Sequence, residues 1–175
     1  MTNASQPSFI LAIYPTSHGF AFVLFEGPKA PFDWGVKGIR GKRKNAKTVD
    51  EVKALLERYH PETLVIEHAG AGQARRAERI KRLYRMLRHL ADVEQVEVGR
   101  IPRAEVRTCF ATVGAVTKYE IAKAIATEIP AFAHRLPRVR RLWMSEDPRQ
   151  SLFDAAALGL AFYARRALSA PASDD

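Results

Sequence analysis

Three carboxylates stand beside segments that should be buried, and their placement suggests metal chemistry. Glu67 ends an apolar run with the composition of a buried strand, and Asp154 falls on the apolar stripe of the C-terminal helical pattern, which Asp147 precedes. An acid on a buried stripe needs a partner, either an arginine or a divalent metal, because an unpaired buried charge is costly. Carboxylates that converge on one point bind Mg²⁺ or Mn²⁺. Two such ions can stabilise both the attacking water and the leaving oxygen of a phosphodiester.

Composition favours a polyanionic partner. The 175 residues include 28 Lys plus Arg against 19 Asp plus Glu, for a net charge of +9. Such an excess on one domain favours nucleic acid as the partner, or less often a membrane surface.

The single Cys109 excludes an intramolecular disulfide and a cysteine-rich zinc site, and we expect it to be a buried core thiol. The sequence shows neither a transmembrane run nor a signal-peptide pattern, which predicts a cytoplasmic protein.

Hydrophobic patterning predicts the elements that hold these acids. Strands are expected over 9–14, 20–27, 32–39, 63–68 and 93–98, with Pro15 ending the first. Helices are expected over 48–59, 73–91, 103–110, 117–129 and from about 148 to 168, with Thr48 and Thr117 as capping-box residues. This order predicts an α/β fold, a mixed sheet with helices on both faces. We expect one domain over 9–168, with flexible ends at 1–8 and 169–175.

Basic residues recur in three segments that could follow a phosphate backbone. These segments are the loop 40–47, the long helix 73–91 and the run 135–143, which ends at an aromatic residue. The loop and the long helix are also open to interpretation as solvated surface, and the helix as a subunit contact. Because no base-reading motif is visible, binding would be by shape and backbone. The candidate contacts are Arg40, Lys42, Arg43, Lys44, Arg75, Arg76, Arg79, Lys118, Arg138, Arg140 and Arg141.

The order of these motifs resembles the RuvC family of Holliday-junction resolvases, within the ribonuclease H-like superfamily. The run 11–17, LAIYPTS, stands where that family has a buried strand and an Asp-Pro-Gly-Ser turn, and Glu67 stands where it has a catalytic glutamate. The run 114–122 resembles a degraded form of the family's glycine-rich helix start and keeps its lysine, as Lys118. The run 151–158 matches the family's last helix, with Asp154 as its second acid.

Two departures affect what this resemblance implies. Tyr14 stands where the family has its first aspartate, the residue expected to bridge both metals, and Ser151 replaces a third acid or a histidine. A phenol stays protonated near pH 7 and does not replace a carboxylate. Asp147 would substitute for Ser151 only if the last helix starts early enough. The resemblance implies Mg or Mn held by Glu67, Asp154 and Asp147, with Lys118 near the scissile phosphate, and a homodimer formed near the long helix.

Three functions follow from these observations. The first is a RuvC-like protein of DNA recombination or repair that binds branched DNA, with impaired metal-dependent endonuclease activity. The second is an active Mg- or Mn-dependent, structure-selective endonuclease. The third is a structural subunit of a larger nucleic-acid assembly.

Overall fold

The computed structural model describes residues 7–69 and 78–171 and contains a five-stranded mixed sheet in the order β3-β2-β1-β4-β5. Strand β1 pairs antiparallel with β2, and β2 with β3, whereas β1–β4 and β4–β5 are parallel. The strands are β1 Ile10–Thr16, β2 Gly19–Gly27, β3 Ala30–Gly38, β4 Thr63–His68 and β5 Glu97–Pro102. The mixed α/β sheet expected from the sequence is therefore confirmed.

Helices cover both faces of this sheet because its central strands are apolar on both sides. In β1, Ala12 and Tyr14 face the core under the helices α4 (Lys118–Glu128) and α5 (Gln150–Ser169), whereas Leu11 and Ile13 face the core under α1 (Lys44–Tyr59) and α2 (Glu78–Val93). The helices are α1 Lys44–Tyr59, α2 Glu78–Val93, α3 Arg103–Ala111, α4 Lys118–Glu128 and α5 Gln150–Ser169, with a 3₁₀ turn at Pro130–Arg135. None of the helices in the described ranges is long and apolar enough to cross a membrane.

Helix α5 lies close against the sheet because its inner face is made of small residues. The run 155–157 is entirely alanine and buried, and Gly159 faces the ring of Phe25. A Cβ built on Gly159 would come within 2.3 Å of a Phe25 ring carbon. This close packing fixes the position of Asp154, one turn before Gly159 on the same helix.

Several predicted boundaries were wrong for identifiable reasons. Strand β1 continues through Pro15 to Thr16, because it stays paired with β2 as far as Thr16, whereas on its other side the parallel pairing with β4 ends at Ala12 and needs no donor from Pro15. Helix α1 begins at Lys44, so Thr48 lies inside it and donates its hydroxyl to the carbonyl of Lys44. Strand β5 begins at Glu97 rather than at residue 93, because α2 extends to Val93.

Other predictions at this level were confirmed or refined. Strand β4 spans Thr63–His68 as expected, and Thr117 forms a capping box with Glu120. Helix α2 is described only from Glu78, so the expected helical residues 73–77 lie outside the described residues. Cys109 is only partly buried, although it packs against the core.

Candidate functional site

A cleft of about 240 Å³ lies where the parallel strands β1 and β4 end, against α3, α4 and α5. The carboxyl ends of neighbouring parallel strands meet at one edge of a sheet, which is where α/β folds bind ligands. The polar and charged residues that line the cleft are Tyr14, Glu67, Arg103, Arg107, Thr117, Lys118 and Asp154. The structure thus brings together three of the four residues predicted as catalytic, namely Glu67, Lys118 and Asp154.

Tyr14 holds a central position in this cleft. It directly precedes Pro15 near the end of β1, is 9% exposed, and belongs to the core under α5. The ammonium nitrogen of Lys118 lies 5.9 Å from the centre of its ring, within cation–π range. An aromatic ring and a lysine ammonium therefore meet beside the end of β1.

Glu67 lies at the end of β4 and is almost completely buried, with 3% exposure. The Nε atom of Arg103 is 4.0 Å from its Oε1. Arg103 begins α3, directly after the last residue of β5. The sequence did not predict that Arg103 lies beside Glu67, because the expected strand began four residues too early. The carboxyl end of β5 was therefore not expected at the edge of the sheet where Glu67 lies.

Asp154 and Lys118 form an ion pair. Lys118 Nζ donates to Asp154 Oδ2 at 3.4 Å and to Glu146 Oε1 at 2.9 Å, while Gln150 donates to Asp154 Oδ1 at 3.3 Å. Burial raises the pKa of Asp154, although Lys118 and Gln150 act in the opposite direction. Burial lowers the pKa of Lys118, but the charges of Asp154, Tyr14 and Glu146 and the hydrogen bond to Glu146 outweigh it, so the net shift is upward.

Asp147 and Ser151 are committed to other contacts. Helix α5 begins at Gln150, so Asp147 precedes the helix and does not take up the helical position from which it would replace Ser151. Asp147 instead pairs with Arg149 at 2.7 Å, and hydrogen bonds from Arg149 lower the pKa of its carboxyl. The hydroxyl of Ser151 donates to the carbonyl of Pro148 at 2.8 Å. Asp147 is also absent from the described lining of the cleft.

These donors do not fit the two-metal site that the resemblance implies. A two-metal site needs several carboxylates, because hard cations bind oxygen anions. Among residues 7–69 and 78–171, no group of three or more His, Cys, Asp or Glu side chains could hold a metal ion. The two acids that line the cleft, Glu67 and Asp154, already lie beside the cations Arg103 and Lys118.

The predicted basic contacts fall into three groups. Arg40, Lys42 and Arg43 are exposed in the segment between β3 and α1. Arg138, Arg140 and Arg141 are exposed in the segment after the 3₁₀ turn. Arg75 and Arg76 lie outside the described residues.

Lys44 and Arg79 instead support the β1–β2 turn that follows Tyr14. Lys44 Nζ donates to the carbonyl of Ser17 at 3.0 Å. Arg79 donates to the carbonyl of Thr16 at 3.0 Å and to the side chain of Asn45 at 3.1 Å. These two cations therefore stabilise the turn that follows β1 and place positive charge beside it.

Three solved structures have a similar fold. The chain is similar to Thermus thermophilus RuvC in complex with a Holliday junction substrate (TM-score 0.63, 18% identity, 91% of this chain and 96% of that chain). It is also similar to a second Thermus thermophilus RuvC structure (0.62, 20%, 91% and 96%). A third similar structure is the yeast mitochondrial Holliday junction resolvase Ydc2 (0.67, 14%, 95% and 82%).

The fold is thus a RuvC-like, ribonuclease H-like α/β fold, as the sequence motifs predicted. No protein-family model matches the chain, and no curated protein does. At 14–20% identity the likeness shows the fold alone. The activity of this chain has to be argued from its own residues.

Proposed function

We propose that this chain is a RuvC-like protein of DNA recombination or repair that binds branched DNA by shape and backbone without two-metal hydrolysis. The observation that carries the proposal is Tyr14, whose phenol lies in the cleft where the resemblance would put the first, metal-bridging aspartate. The ammonium group of Lys118, a residue that the resembling family also has, pairs with Asp154 and lies over the Tyr14 ring. A lysine cation thus lies among the side chains where the resemblance would put metal ions.

The charge of the cleft supports phosphate binding without a metal. Its described lining contains the cations Arg103, Arg107 and Lys118 against the carboxylates of Glu67 and Asp154. A nuclease site rich in carboxylates repels a phosphodiester until metal ions neutralise it. Here the acids are already balanced by protein cations, so a DNA backbone can approach without that step.

Positive charge is also concentrated outside the cleft. Lys44 and Arg79 surround the turn after β1, and the exposed Arg40, Lys42 and Arg43 continue from it. Lys and Arg that contact phosphates release counterions, so affinity for DNA falls as salt rises. Trp143, 77% exposed beside Arg141, offers a ring on which an unpaired base at a junction could stack.

An active Mg- or Mn-dependent endonuclease is the second candidate, since Glu67 and Asp154 still line one cleft. A homodimer formed near α2 is part of the main proposal, and the RuvC resemblance is its support. Light scattering on the purified protein tests the dimer directly.

The binding function is tested by mobility shift in EDTA with a labelled four-way junction and a duplex of matched sequence, over a range of salt concentrations. We expect retardation of the junction at lower protein concentration than the duplex. Replacing Lys42 and Arg43 with glutamine should lower the slope of log affinity against log salt by about 0.9 for each phosphate that the variant no longer neutralises. The control replaces Lys53, an exposed lysine of α1 paired with Glu57, and should leave the slope unchanged. Equal affinity for junction and duplex would contradict binding by branched shape.

A further inference from the structure

A second cleft, of about 190 Å³, lies between α2 and the ends of β4 and β5. It includes Ile66, which belongs to the core under α1 and α2, whereas the first cleft includes Tyr14 from the core under α4 and α5. Glu67 lines both. The second cleft therefore lies on the side of the sheet opposite to Lys118 and Asp154 and, among the described lining residues, shares only Glu67 with the first cleft.

Its walls are strongly basic. Lys81, Arg85 and Arg88 stand four and three residues apart on one face of α2, and Arg100 joins them from β5. Glu67 is the single carboxylate among the described lining residues, and it is 3% exposed. Four cations around so small a volume repel one another, and an anion between them relieves that repulsion.

Arg88 gives a more specific indication. Its Nε atom is buried and has no hydrogen-bond acceptor among the described residues. A buried charged donor without an acceptor costs free energy, so a ligand that supplies an oxygen acceptor is stabilised there. Guanidinium groups present several N–H donors in a planar fork that matches the oxygens of a phosphate.

We propose that the cleft between α2 and β5 binds a phosphate group, with Arg88 and Arg100 as its main donors and Lys81 and Arg85 supplying further positive charge. The phosphate can belong to a nucleic-acid backbone or to a free phosphate compound. Binding of a nucleic-acid backbone at this cleft rests on the proposed function, whereas binding of a free phosphate compound does not.

The test uses inorganic phosphate as the probe, titrated by calorimetry into the full-length protein at low ionic strength. We expect saturable binding that Arg100→Gln and Arg88→Gln each weaken about tenfold, as for the loss of one charge-assisted hydrogen bond. The matched control is Arg82→Gln, an exposed arginine of the same helix outside the described lining, which should bind phosphate like wild type. Circular dichroism checks folding. If Arg88→Gln fails to fold, the exposed Arg100 still carries the test.

Junction DNA identifies the source. Parallel loss of phosphate and junction affinity in Arg100→Gln supports a site for the nucleic-acid backbone. Loss of phosphate affinity with unchanged junction affinity supports a site for a free phosphate compound. If wild type binds phosphate but no junction, the proposed function fails and the phosphate site stands. Absence of saturable phosphate binding to wild type, or equal weakening by Arg82→Gln, would overturn the inference.

Discussion

The ammonium nitrogen of Lys118 lies 3.4 Å from the Oδ2 atom of Asp154, and this ion pair joins the start of α4 to the first turns of α5. The carboxylate is 13% exposed, and the charge of Lys118 favours its ionised form more than the hydrogen bond from Gln150 does. The lysine of this pair places a positive charge within the cleft. Lys118 therefore affects both the stability of the fold and the ability of the cleft to bind a metal ion.

Lys118→Met should destabilise the protein, because it leaves the carboxylate of Asp154 without its nearest cation. Breaking a fully buried pair costs about 3–5 kcal/mol; since Lys118 is 43% exposed, we expect a loss of about 1–2 kcal/mol in the free energy of unfolding. Urea denaturation measures this loss. Lys123→Met, at an exposed position on the same helix, is the control. Adding Asp154→Asn to Lys118→Met should recover part of the loss, and no recovery would refute the pairing.

Asp154→Asn should change how stability depends on pH. Burial raises the folded-state pKa of Asp154 above the unfolded value of about 3.9. Between these two pKa values the folded wild type binds more protons than the unfolded chain, so this group's contribution to stability falls as pH rises. The stability of the variant relative to wild type should therefore increase from about pH 4 up to the folded-state pKa, and then level off.

A second variant, Glu105→Gln, should show the opposite pH dependence of stability and serves as the contrast for this experiment. The hydrogen bond from Arg165 lowers the pKa of Glu105, so Glu105→Gln should lose stability relative to wild type as pH rises through the acid range. Thermal unfolding at a series of pH values measures both curves. If the stabilities of the two variants relative to wild type changed in the same direction with pH, the two acids would not have the different environments that the structure gives them.

Tyr14→Asp should create a Mn²⁺ site. It would add a third carboxylate to the cleft that already contains Glu67 and Asp154. Calorimetry should detect no saturable Mn²⁺ binding by wild type and measurable binding by the variant, tighter still when Lys118→Met is added, because the competing cation is then removed. Tyr119→Asp, on α4 and outside the described lining, is the control. Identical titrations of wild type and Tyr14→Asp would count against the mapping of the site.

Gly159→Ala should disturb the packing of α5 on the sheet. The new Cβ would lie 2.3 Å from a ring carbon of Phe25, so the ring or the helix must shift. Overpacking of this kind costs about 1–3 kcal/mol, which chemical denaturation measures. Gly38→Ala, where an added Cβ meets no atom within 4 Å, is the matched control. Equal stability of the two variants would show that α5 packs less closely than described.

The strands of the sheet centre were predictable because their signals are local. Strand β4 is an apolar run that lies between Pro61 and the Ala-Gly-Ala-Gly sequence at 69–72, and its limits matched the prediction. The Thr117 cap was equally clear, since its capping box needs only Glu120. Glu67, Lys118 and Asp154 could be assigned to one site because the motif order of the resemblance specified the topology that unites them.

The features that were not predicted depend on tertiary contacts. Thr48 has the sequence of a cap, yet α1 begins one turn earlier, where Arg43 adopts a left-handed conformation with φ 61°. The partnership of Asp147 with Arg149 depends on where α5 starts, which the sequence left open. Arg103 and Arg100 were not recognised because placing them requires the correct limits of β5.

The proposed function requires that the chain binds branched DNA but does not cut it. The most direct measurement is a gel assay on a labelled four-way junction and a matched duplex, with and without Mn²⁺, for wild type and Glu67→Ala. We expect a retarded and uncut junction, with the variant behaving like wild type. Mn²⁺-dependent cleavage of the junction that disappears in Glu67→Ala would contradict the proposal and establish an active nuclease.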